Sequence, residues 1–150
     1  MTDYKALIER IEYFYVDVVE EFREAEQRII RDSQFRSLFR KKDYDGNIAD
    51  VKACKKAAQE IDFKALAVDS GDEESQEVLR NFKNAVACFK DLCDAHVQLQ
   101  MLLKRKNQKE KISFFDYKVV FDKMNQRREA VNHALHGLDV VYTDYTEEHE

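Results

Sequence analysis

Apolar residues recur every three to four positions along most of this chain, the period of an α-helix that buries one face. The first stripe is Tyr4, Ile8, Ile11, Tyr15, Val18, Phe22, Ala25 and Ile29. The second is thinner: Ile48, Val51, Cys54, Ala58, Ile61, Ala65 and Val68. Its small residues predict a helix packed closely on its neighbours. The third reads Leu79, Phe82, Val86, Phe89, Cys93, His96, Leu99 and Leu103. The fourth, Tyr117, Phe121, Met124, Arg128, Val131, Leu135, Leu138, Tyr142 and Tyr145, carries a single charge, Arg128.

Polar breaks separate the stripes: Lys41 to Asn47, Asp69 to Asp72, and Lys104 to Lys111. They predict four helices, near 3–39, 48–68, 73–105 and 113–146. Asn47 with Asp50, Ser70 or Asp72, and Ser113 with Asp116 supply the oxygens that cap the last three. A break near Asp32–Ser33 would start a short extra helix through Phe39. Long helices joined by short turns predict an all-α fold, an antiparallel up-down four-helix bundle forming one domain over 1–150. Tyr13, Phe14, Val19 and Ile30 are surplus apolar bulk on the first helix. A partner or a second protomer would cover them, and so would packing on two sides.

Composition agrees. The chain has no proline and three glycines, so almost nothing interrupts a helix, and 44% apolar residues argue against disorder. No apolar run approaches the roughly 18 residues a membrane span needs. No signal peptide is visible, and Cys54, Cys88 and Cys93 are an odd set in helical pattern. Free thiols and a cytoplasmic location are expected, with no membrane partner.

The charges are uneven although the net charge is only −5. In an up-down bundle Arg36, Arg40, Lys41 and Lys42 would meet Lys104, Arg105, Lys106, Lys109 and Lys111 at one end. The other end would collect Asp62, Asp69, Asp72, Glu73, Glu74, Glu77, Asp144, Glu147, Glu148 and Glu150. Dipole matching explains much of this, because bases suit helix C-termini and acids suit N-termini. It leaves the acids at the end of the fourth helix unexplained. The alternative is a basic pole that docks an anionic partner, either an acidic protein face or a phosphate backbone, while the helical surface docks a protein partner or a second copy of the chain. No aromatic residue interrupts Lys104–Lys111, so no base-stacking platform is expected there.

Catalytic apparatus is sparse. Cys93 and His96 share a helix face but lack two more ligands for zinc, and a core role is expected, with His96 toward the region of Asp122. Glu129, His133 and His136 also share a face, without the second Glu-x-x-His that a di-iron bundle needs. No metal and no cofactor is expected. Arg128-Glu129-Ala130-Val131-Asn132-His133 is the richest segment, because a buried arginine must be paired or line a groove. Its Arg-x-x-x-x-His spacing on a late helix resembles the HEPN superfamily of small helical proteins. That resemblance implies a metal-independent RNase, or an inactive relative, of a toxin–antitoxin or phage-defence system. Arg128 would hold phosphate, His133 would act as general acid or base, and Asn132 would orient either. Five residues turn a helix by about 140°, so the pair converges only across a groove or dimer interface. Glu74 to Leu92 and Ser113 to Lys118 are similar to the helical module of type I restriction motor subunits, which fits a chain excised from a longer protein. The leading expectation is a non-enzymatic interaction module with a basic pole; the HEPN-like RNase is the alternative.

Overall fold

The computed structural model describes residues 1–33 and 42–149, and they are helical with no strand among them. The elements are α1 (Tyr4–Tyr13), a π-helical segment Phe14–Val19, α2 (Glu20–Ser33), α3 (Tyr44–Gln59), a 3-10 turn Phe63–Ala65, α4 (Glu73–Asn107) and α5 (Phe114–His149). α1, the π segment and α2 follow without a break and make the first of four helices that pack together. Arg36, Arg40 and Lys41, and the short helix expected through Phe39, lie outside the described residues.

Local chemistry sets the ends. Asp3, Asp43 and Asp72 each accept a first-turn backbone N–H, from Ala6, Gly46 and Ser75. The cap of α3 is therefore Asp43 rather than Asn47, and that helix starts four residues earlier than its apolar stripe. It also stops at Gln59, well short of residue 68. There the Asp62 carboxylate accepts the N–H of Lys64, and this local bond competes with helix continuation. Ser113 and Asp116 form the expected reciprocal box: Asp116 N–H donates to Ser113 Oγ at 3.0 Å and Ser113 N–H to Asp116 Oδ2 at 3.3 Å.

The π segment has no counterpart in the sequence reading, and it reorganises the first helix. Phe14 and Phe22 are eight residues apart, about 80° out of line in a regular α-helix. The wider π turn absorbs that surplus, and both rings meet Phe89 edge-on, at 5.6 and 5.3 Å between centroids. Phe14 also packs on Phe82, which in turn takes the edge of Phe63. Phe14 and Val19 are thus core residues, 0% and 2% exposed, not outer bulk. Tyr13 and Ile30 do remain exposed. One buried cluster draws from every helix, with Leu7, Ile11, Val51, Phe82, Phe89 and Leu138 near its centre.

Inter-helix contacts follow a regular order. Tyr4 stacks on His149, Tyr15 donates to the Leu135 carbonyl, and Glu26 meets Arg128, so rising positions in the first helix meet falling positions in α5. Asp45 meets Lys104, Asn47 meets Gln100 and Lys55 meets Asp94 between α3 and α4. At the far end Ser75 Oγ lies 2.6 Å from Tyr145 Oη and from Asp72 Oδ2, and Thr2 Oγ1 donates to Asp72 at 2.8 Å.

If the π turn exists to align Phe14 with Phe22, deleting the exposed Val16 should be mild, because seven-residue spacing restores alignment in a plain helix. Phe14→Ala should instead cost about 3–5 kcal/mol in urea unfolding. A deletion as damaging as Phe14→Ala would contradict the alignment argument. The Asp72 carboxyl is pulled down to about 2 by the Ser75 hydroxyl and N–H and by the Thr2 hydroxyl. Its stabilisation should be complete above its ordinary value of 3.8 and disappear as pH falls toward about 2. An NMR carboxyl titration checks the midpoint, and Asp72→Asn should flatten stability over that window.

Candidate functional site

Two places concentrate charge in a way that packing alone does not require. The first is the polar network around Arg128. Arg128 Nη2 lies 2.7 Å from Glu26 Oε2 and Nη1 lies 2.9 Å from Asn125 Oδ1, so the lone charge of the α5 stripe is paired across helices. The same Glu26 oxygen lies 3.2 Å from His96 Nε2. His96 therefore faces Glu26 of α2, not the region of Asp122. Its ring packs edge-on to Phe22, and its Nδ1 is buried without a partner. The tautomer that serves Glu26 carries its proton on Nε2 and leaves a lone pair on Nδ1. Burial alone would raise the Glu26 carboxyl, but hydrogen bonds from His96 and Arg128 outweigh it and leave it below its ordinary range.

Beside this network a cleft of about 70 Å³ is lined by Arg23, Glu26, Arg128 and Asn132 among apolar side chains. His133 and Asn132 are exposed, while Arg128 is half-buried and engaged. Within one chain, no hydrogen bond or ion pair among the described residues joins Arg128 to His133. Glu129, His133 and His136 are all exposed. Among the described residues, the carboxylate–imidazole group whose ligand atoms lie within 4.8 Å of one another is elsewhere: Glu74, Glu148 and His149. Cys54 and Cys93 are buried free thiols that burial pushes up, Cys54 to about 11, which makes them poor nucleophiles.

The second place is the end of α4. A cleft lined by Lys42, Tyr44, Asp45, Lys104, Asn107 and Gln108 puts Lys42 beside the last turn of that helix. Two of the bases there are compensated: Lys104 Nζ lies 2.7 Å from Asp45 and Arg105 Nε lies 3.3 Å from Glu110. Lys106, Lys109 and Lys111 are exposed and have no ion pair among the described residues. The backbone turns there through a Schellman motif, with Glu110 N–H on the Arg105 carbonyl and Lys109 N–H on the Lys106 carbonyl. Lys109 has a φ of 65°, the left-handed position that glycine ordinarily fills. A lysine stands where a glycine would be the more stable choice.

The lysine run was readable from the sequence; its partial neutralisation by Asp45 and Glu110 was not. Sequence reasoning also missed Glu26, because no spacing rule links it to a residue 102 positions away. Comparison with protein-family models, with curated proteins and with solved structures gives no match for this chain.

Glu26 is the hub of the Arg128 network, so Glu26→Ala should cost about 2–3 kcal/mol by leaving a buried imidazole and a half-buried guanidinium unpaired. Because its folded-state carboxyl is lowered, the stabilisation is present above the ordinary carboxylate value and fades as pH falls below it. Unfolding curves of wild type and variant should converge in acid. A constant gap down to the acid limit would show that the charge is not what Glu26 contributes.

Proposed function

We propose that this protein is a non-enzymatic helical interaction module whose basic pole docks an anionic partner. The reading takes the four packed helices as an up-and-down bundle. The ordered contacts Tyr4–His149, Tyr15–Leu135 and Glu26–Arg128, and the pairs Asp45–Lys104 and Lys55–Asp94, support that arrangement. In it, the residues that follow Asn107 and the start of α3 share one end, and Lys42 beside Lys104 fits this.

The observation that carries the proposal is Lys109. A non-glycine residue at positive φ costs about 1 kcal/mol or more. Here the cost is borne by a lysine between two further exposed, unpaired lysines, Lys106 and Lys111. Dipole matching does not account for Lys109 or Lys111, because both lie beyond the last turn of α4. The HEPN-like reading has no comparable support, since Arg128 is already committed to Glu26 and Asn125. No helix of the described residues is long and apolar enough to cross a membrane.

Lys109→Gly separates function from stability, because the two should move in opposite directions. Urea unfolding should show a gain of about 1 kcal/mol. Anisotropy with a labelled poly-glutamate peptide or a mixed RNA pool should show several-fold weaker binding. Reversing Lys106, Lys109 and Lys111 together to glutamate should abolish binding to both probes with the melting temperature nearly unchanged. Wild-type protein that binds neither probe at low salt, or a triple variant that still binds, would remove the basic pole as a docking site. RNA cleavage lost in Arg128→Ala and His133→Ala would instead favour the ribonuclease.

A further inference from the structure

The basic pole is not purely basic. Ser113 and Asp116 lock the start of α5, and the two residues between them are Phe114 and Phe115, 78% and 72% exposed. Val119 and Phe121 add 51% and 36% exposure further along the same helix. Phe114 and Lys118 are four residues apart, as are Phe115 and Val119, so rings, amine and methyls share one stretch of surface. Lys111 lies three residues before Phe114, and neither Lys111 nor Lys118 has an ion pair among the described residues. Two adjacent phenylalanines left in water forgo a large burial energy, and aromatic rings are enriched where protein interfaces form.

We infer that the partner of this pole is an acidic polypeptide segment bearing apolar side chains, which packs its apolar residues on Phe114 and Phe115 and its carboxylates on Lys106, Lys109, Lys111 and Lys118. The inference rests on the docking role of the pole and adds the chemistry of the occupant. Charge selects against the other occupants. A nucleic-acid backbone carries a charge at every nucleotide and would set phosphates against the exposed carboxylates of Glu110, Asp116 and Asp122 that interleave with the lysines, whereas a polypeptide can place its carboxylates on the lysines and apolar residues between them. A second copy docking by the same face would set lysine against lysine. An acidic peptide meets the lysines favourably, and its apolar residues are what the exposed rings lack.

Three probes of equal charge test this with the full chain by fluorescence anisotropy: an acidic peptide with leucine at every third or fourth position, the same peptide with serine for leucine, and a single-stranded RNA. The leucine peptide should bind wild type at least tenfold more tightly than the serine peptide. Phe114→Ala/Phe115→Ala should erase that preference while leaving the serine peptide's weaker binding unchanged. Both positions are exposed, so an unaltered melting temperature and circular dichroism spectrum confirm that the variant is folded. The triple lysine reversal should remove binding of both peptides.

Equal binding of the two peptides, or a preference that survives loss of both rings, overturns the apolar partner and leaves the basic pole standing. Persistence of all binding in the lysine reversal overturns the pole itself. Tighter, ring-dependent binding of RNA overturns the peptide in favour of nucleic acid. A doubled solution mass that the phenylalanine variant returns to monomer overturns it in favour of a second copy.

Discussion

Phe89 sits where the first helix and α4 meet, and two phenylalanines eight residues apart must both reach it. A regular α-helix places them too far apart in rotation. The extra width of the Phe14–Val19 segment resolves the conflict. It costs hydrogen-bond regularity within the helix and gains burial of Phe14, Val18 and Val19 together. Alignment along the rest of the first helix follows from this correction. Downstream of it Ala25 is buried, and Glu26 is delivered to the gap between His96 and Arg128.

That gap shows how a polar network survives next to an aromatic core. One carboxylate answers an imidazole and a guanidinium, and Asn125 takes a second guanidinium N–H. A network of this kind contributes little net stability against an apolar replacement, but it is costly to break. Arg128 and Glu26 belong to helices that meet in no local motif, so the pair also penalises a slipped register between them. The network thereby gives Arg128 a structural occupation that a phosphate-binding arginine would have to give up.

The end of α4 is organised differently. Among the described residues there, the two ion pairs are exposed and worth little, and Lys106, Lys109 and Lys111 have no ion pair. A left-handed lysine and two phenylalanines at a helix start are both locally unfavourable choices. They lie within a few residues of each other along the chain, on either side of the α4–α5 turn. Local disadvantage concentrated in one exposed place is what the proposed docking role would account for.

Helix number, the buried face of the third helix, that of the fourth from Met124 onward and the Ser113–Asp116 start were legible in the sequence, because each depends on residues three to four apart, whereas Phe121 of the expected fourth stripe is exposed. Arg128 was legible as a charge in need of a partner, and Lys104–Lys111 as a basic run. The π turn was not, since the stripe of the first helix fits a plain α-helix nearly as well, and only the position of Phe89 decides between them. Glu26 as the partner of Arg128, Asp45 as the partner of Lys104, and the exposure of Phe114 and Phe115 also belonged to the tertiary structure alone. Periodicity and capping are set within one turn of helix. Which side chain meets which across 59 or 102 residues depends on how whole helices register against each other, and no short window of sequence contains that information.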